Sequence, residues 1–293
     1  MTTLKIAAAP ISWGVCEVPG WGHQLTPDRV LAEMAAVGVS ATELGPEGFL
    51  PSDAAELATL LDSYGLSYVG AFAPVLLHDA DHDPVFDITA PLDALVASGA
   101  EVLVLAAATG THGYDSRPTL DDREWATLLA NLDRLAVSAA HRGVLAVLHP
   151  HVGTMVENRN DVERVLAGSA IGLCLDTGHL LIGGTDPLQL AREVPGRIAH
   201  AHLKDVDASL AARVQAGELT YTEAVREGMY VPLGTGDVDI AGIVTALRRN
   251  GFDGWFVMEQ DTILDGEPVG EGPVADVRTS VGYMTDVCKR VPA

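Results

Sequence analysis

Ile-Gly-Leu-Cys-Leu-Asp-Thr-Gly-His-Leu, residues 171–180, decides how this chain is read. A short apolar run without alternation ends abruptly in a carboxylate. A run of that kind reads as a strand buried on both faces, the condition of a parallel sheet covered by helices. The pattern recurs at 4–11 (LKIAAAPI), 41–44, 68–75, 101–107, 144–148, 198–203 (IAHAHL) and 255–258 (WFVM). Helical spacing lies between the runs. Residues 27–37 place Val30, Leu31, Met34 and Val37 on one face, with Thr26 as N-cap and Pro27 at the first helical position. Residues 53–64 align Leu57, Leu60 and Leu61 behind Ser52 as cap, and 121–141 carry Leu128, Leu129, Leu132 and Leu135 before Gly143. Residues 239–250 repeat the pattern with Ile240, Ile243, Val244 and Leu247 before Gly251.

Eight alternations of strand and helix predict an α/β fold: a parallel sheet closed into one (β/α)₈ TIM barrel, for which about 250 residues is usual. The 293 residues, 48% of them hydrophobic, suit a single domain over 1–293. An open doubly wound sheet would want a Gly-rich turn after the first strand, and none is there. Residues 206–237, after the seventh run, form a long and mostly polar insertion, expected to serve as a lid or an interface. Barrels of this kind often pair, so a homo-oligomer is a further expectation.

Eighteen Lys and Arg stand against forty Asp and Glu, a formal charge of −22. Such a surface repels phosphate backbones and anionic lipid, so neither nucleic acid nor membrane is an expected partner. Cys16, Cys174 and Cys288 are too few, and odd in number, for a disulfide framework. With no secretory signal and no run long enough to span a bilayer, the chain reads as cytoplasmic.

In a closed barrel the chemistry sits where the strands end. Here the fifth run ends in His149-Pro150-His151, the sixth in Asp176-Thr177-Gly178-His179, the seventh in Lys204-Asp205 after His202, and the eighth in Glu259-Gln260-Asp261. Alone, Asp176 reads first as the N-cap of the next helix, and a lone His as a structural residue. Four successive strands each delivering an imidazole or carboxylate to one rim read differently. Two imidazoles and two carboxylates suit a borderline divalent ion: Mn²⁺ or Co²⁺ foremost, with Zn²⁺, Fe²⁺ or Mg²⁺ as alternatives. Such an ion polarises a carbonyl and stabilises the enediolate left when the neighbouring C–H loses its proton.

At these residues the chain resembles a known family. LCLDTGHL, HAHLKD and VMEQD are similar to the last three strand ends of the xylose-isomerase-like barrels. Within that group APISWGV, PGWG and HPHVGT look most like myo-inosose (2-keto-myo-inositol) dehydratases. The resemblance implies a divalent metal and loss of water from a cyclic polyhydroxy ketone. It puts Asp176, His202 and Glu259 on metal-ligand positions. The fourth ligand of the family is usually a Glu at the fifth strand end, where this chain has His149; Glu157 is the alternative, and can equally cap or contact substrate.

His151 and Lys204, two positions beyond His149 and His202, share their sides of the strands and are candidates for moving protons, as is Glu43 at the second strand end. Glu43 can equally form a salt bridge, and Lys204 can equally pair with Asp205. Trp13 either walls the substrate or closes the barrel. His179 is expected beside the site, supporting a metal-bound carboxylate or touching substrate, and Asp205 can orient His202 or Lys204.

The reaction expected is α-proton abstraction from a small polyol ketone followed by loss of the β-hydroxyl, a hydro-lyase reaction. A sugar isomerase or ketose 3-epimerase shares the first half, but the family's epimerases use a fifth-strand Glu that is missing here. The AP endonucleases of the same group bind DNA, which the charge opposes. A non-catalytic binding barrel leaves the buried ionisable groups without a role.

Overall fold

All eight apolar runs become strands of one parallel sheet in the computed structural model, which describes residues 4–291. In chain order the strands are β1 (Lys5–Ala8), β2 (Ala41–Thr42), β3 (Ser67–Tyr68), β4 (Gly70–Val75), β5 (Val102–Ala107), β6 (Leu145–Leu148), β7 (Gly172–Asp176), β8 (Ile198–Leu203), β9 (Asp205–Val206), β10 (Tyr230–Val231) and β11 (Trp255–Met258). The main sheet runs β3-β2-β1-β11-β8-β7-β6-β5-β4. β3 and β4 are one stretch of chain interrupted at Val69. Its N–H donates to the Thr42 carbonyl and its own carbonyl accepts from the Glu101 N–H, at 3.0 and 3.4 Å. That joint links the two ends of the sheet, so the chain is a TIM barrel with eight strand positions. Every residue of β5 is buried, as its unbroken Val-Leu-Val-Leu-Ala-Ala run requires.

Helices occupy the expected gaps as Pro27–Ala36, Ala54–Tyr64, Asp122–Ala140 and Ile240–Arg249. Two caps differ from expectation. Asp53, not Ser52, starts the second helix, its carboxylate accepting from the Ala55 and Glu56 N–H groups at 3.0 Å each. Thr26 holds the N-cap position ahead of Pro27, with no side-chain bond to the helix. Helices Val85–Ser98, Arg159–Gly168, Pro187–Glu193 and Val274–Arg290 complete the outer ring. None of the described helices is long and apolar enough to cross a membrane.

The 206–237 segment has more structure than its polarity suggested. β9 and β10 pair antiparallel, and helices Ala208–Gln215 and Tyr221–Arg226 lie between them. Val206, Ala211, Tyr221, Val225, Met229 and Tyr230 are buried with Trp21, Val152 and Ile182 in a small apolar cluster of their own. Asp205 secures the segment's return. Its oxygens accept from the N–H groups of Val206, Gly234, Gly236 and Val238, at 2.8–3.0 Å. It therefore fixes the insertion instead of orienting His202 or Lys204.

Candidate metal centre

Register brings the chemistry together. Asp176 at the end of β7 lies directly opposite His202 on β8. A one-residue irregularity between Leu173 and Cys174 makes this so; an unbroken ladder would put Ala201 there. On the other flank β11 pairs Val257 with His202, and the Glu259 N–H continues the ladder to the Leu203 carbonyl at 3.0 Å. Beyond β6, the His149 N–H donates to the Leu105 carbonyl at 2.8 Å. Asp176, His202 and Glu259 each offer a ligand atom, all within 4.8 Å of one another. His149 Nε2 is 3.1 Å from Asp176 Oδ2, which places it against one side of that trio.

Asp176 does both jobs open to it. Oδ1 caps the following turn, accepting from the Gly178 and His179 N–H groups at 2.9 and 2.8 Å, while Oδ2 faces the cluster. Gly178 is needed there: a Cβ would stand 2.7 Å from the Tyr230 ring and 2.8 Å from Lys204 Cβ.

Glu43 lies beneath this layer and does not line the cavity. Its Oε1 accepts from Nε2 of His200 at 2.8 Å and of His202 at 3.1 Å. Burial alone would raise its pKa, but His202 and His200 hold it well below the carboxylate range. Glu43 thus reaches the layer through His200 and His202 and not through the cavity. With Nε2–H of His202 given to Glu43, Nδ1 is left buried without a hydrogen-bond partner. It sits 3.2 Å from Glu259 Oε2 and 3.7 Å from Asp176 Oδ2. Burial acts against charge on this ring, but Cys174, Glu259 and Glu43 push its pKa well above the ordinary histidine value, so a proton offsets the facing carboxylates; a divalent ion fits the same donor set and would take that proton's place.

Lys204 is the cation the chain itself supplies. Its Nζ donates to Asp176 Oδ2 at 2.8 Å and Glu259 Oε2 at 2.5 Å. Burial opposes its charge, yet Asp176, Asp261 and Glu259 hold its pKa well above the ordinary lysine value. Burial likewise acts to raise Glu259, but His202 and Lys204 bring it down to about 2.

His151 lines the cavity beside His149. Its Nδ1 is 2.6 Å from the Val152 carbonyl oxygen, which only accepts, so Nδ1 carries the proton and Nε2 keeps a lone pair. Burial first, then His149 and Lys204, push its pKa well below the histidine range. His179 stacks on its outer side, centroids 3.7 Å apart, and does not itself line the cavity.

The cavity above these groups measures about 540 Å³, and Trp21, Phe72 and Tyr114 join its walls. Trp13 does not. It is fully buried in the core with Nε1 bonded to Glu33 at 2.8 Å, so it closes the barrel. Glu157 is also elsewhere, accepting from the Gly153 N–H at 2.9 Å and 3.3 Å from Arg117.

Sequence reading missed Asp261, which lines the cavity two residues beyond Glu259. The spacing that singles out His151 and Lys204 points to it equally. It also missed His200, one inward-facing layer below His202. Tyr221 and Tyr230 carry no such signal, since a structured insertion delivers them.

A barrel with this layer of imidazoles and carboxylates defines a class. The family model described as xylose isomerase-like TIM barrel matches residues 31–285, and the chain belongs to that family. It is 34% identical over 270 residues to the rhizopine catabolism protein MocC of Rhizobium meliloti, spanning 89% of this chain and 82% of that protein. It is 31% identical over 270 residues to an inosose dehydratase of Geobacillus kaustophilus, covering 88% and 87%, and 29% identical over 296 residues to that of Geobacillus thermodenitrificans, covering 97% of each. Among solved structures, an L-ribulose 3-epimerase superposes with TM-score 0.71 at 16% identity, covering 98% and 95%. The IOLI protein, solved with a zinc atom, gives 0.71 at 15%, covering 99% and 100%. The structural likenesses are likenesses of fold.

Proposed function

We propose that this chain is a divalent-cation-dependent dehydratase of a cyclic polyhydroxy ketone of the inosose class. The observation that carries the reading is the set of ligand atoms from Asp176, His202 and Glu259, within 4.8 Å of one another beneath a cavity that His151 and Lys204 also line. Near-full-length similarity to inosose dehydratases supports the substrate class. Asp176, His202, Glu259 and His149 hold the ion, and Glu43 fixes the tautomer that exposes His202 Nδ1. When bound, the ion supplies a Lewis acid that draws electron density from the substrate carbonyl and acidifies the neighbouring C–H.

The chain's own groups divide the two proton transfers. His151, neutral and with Nε2 free, accepts the α-proton. Lys204, held charged by its carboxylates, donates to the departing β-hydroxyl, which leaves as water. Phe72 and Trp21 wall the cavity and limit water around the C–H. Mn²⁺ and Co²⁺ suit the donor set best, and the acidic surface suits a soluble enzyme of the cytoplasm.

Incubating the protein with Mn²⁺ and 2-keto-myo-inositol tests this. The reading expects dione absorbance and a product lighter by one water. A product of unchanged mass, as an epimerase of the same fold would give, overturns it.

A further inference from the structure

The ammonium of Lys204 and a divalent ion claim the same lone pairs. Nζ donates to Asp176 Oδ2 and Glu259 Oε2, both proposed metal-ligand oxygens. Two cations held on the same carboxylate oxygens in a buried site of low dielectric repel each other strongly. An entering ion therefore displaces the ammonium, and the ammonium needs another acceptor.

One acceptor is already in place. Asp261 is 7% exposed, and its Oδ1 lies 3.4 Å from Nζ without accepting a hydrogen bond. Its Oδ2 is fixed by the Tyr221 hydroxyl at 2.5 Å, which is itself 3.1 Å from the Tyr230 hydroxyl. Both phenols come from the 206–237 segment, which is clamped to the rim by Asp205. The Tyr230 ring centroid is 6.0 Å from Nζ, so a cation leaning toward Asp261 keeps an aromatic face beside it.

We infer that Asp261, held by Tyr221, is the positioning residue that receives the Lys204 ammonium when a divalent cation takes Asp176 and Glu259. The same displacement moves the ammonium off the metal ligands and leaves it, still charged, at the wall of the substrate cavity. Metal loading and the arming of the acid are then one event. The insertion acts in it as a fixed wall that carries the receiving carboxylate's anchor. This inference rests on the divalent-cation reading above.

Mn²⁺ titration of metal-stripped, full-length protein by calorimetry tests it, with Lys204→Met, Asp261→Asn, Asp261→Glu and the Lys204→Met/Asp261→Asn double variant. Lys204→Met should bind about tenfold tighter, having no cation to displace, and Asp261→Asn about tenfold weaker, with Asp261→Glu recovering most of the loss. In the Lys204→Met background Asp261→Asn should cost little, because no ammonium remains to be received. An equal cost in both backgrounds overturns the inference, since Asp261 would then act only through its charge. So does a Lys204→Met protein that binds no tighter. If Lys204→Met fails to fold without metal, Asp261→Asn and its Glu rescue decide, and wild-type affinity in Asp261→Asn overturns the inference. Wild-type protein that binds no Mn²⁺ at all overturns the metal reading and this one with it; normal wild-type binding with unmoved variants overturns this one alone.

Discussion

His202 shows how much one side chain depends on its neighbours. The proposed ligand role depends on Glu43, which takes Nε2–H and leaves Nδ1 facing Asp176 and Glu259. Glu43→Ala should therefore weaken Mn²⁺ binding by about 10–100-fold without touching a ligand, measured as metal retained after dialysis. His151→Gln should separate chemistry from binding. The kcat should fall by about 10²–10⁴-fold, while Mn²⁺ affinity stays near wild type, because His151 lines the cavity with Nδ1 held by Val152 and is not among the proposed ligands. At this scale the sequence displayed Asp176, His202 and Glu259 plainly, since each closes an apolar run. Glu43 was visible, but its role was not, because its partners His200 and His202 lie more than 150 residues away in the chain. Trp13 misled for the same reason: nothing local tells a cavity wall from a core residue bonded to Glu33.

The strands were legible at the scale of elements, because burial on both faces leaves an unbroken apolar signature in 102–107 and 171–175. Their register was not. The shift between Leu173 and Cys174 that sets Asp176 against His202 leaves no mark in composition. The 206–237 insertion was legible as a break in rhythm, but its helices and its buried tyrosines were not, since its apolar residues are scattered among charges. Gly178 sits where the helix start after β7 meets this insertion, with no room for a Cβ. Gly178→Ala should force Tyr230 and the Lys204 stem apart, costing about 1–3 kcal/mol, read as a lower Tm with weaker Mn²⁺ binding. The same substitution at Gly184, where a Cβ would meet no atom within 4 Å, carries only the strain of its positive φ and should leave Mn²⁺ binding unchanged.

For the whole molecule, the barrel gathers buried ionisable groups at one end, among them His149, His151, Asp176, His202, Lys204, Glu259 and Asp261. A chain of net charge −22 already repels itself, so an ion that neutralises part of this layer should stabilise the entire fold. At a free Mn²⁺ concentration 100 times its Kd the linkage is about 2.7 kcal/mol. Chelation should lower Tm by several degrees, fully restored on adding Mn²⁺ back. Protein carrying both Asp176→Asn and Glu259→Gln should lose that response. The central claim is that Asp176, His202, Glu259 and His149 close on one cation. Anomalous diffraction at the manganese edge, from crystals grown with Mn²⁺, measures this directly. The account predicts a single strong peak bounded by Asp176, His202 and Glu259, with His149 beside it. A strong peak anywhere else, or none at this layer in crystals of active protein, would contradict it.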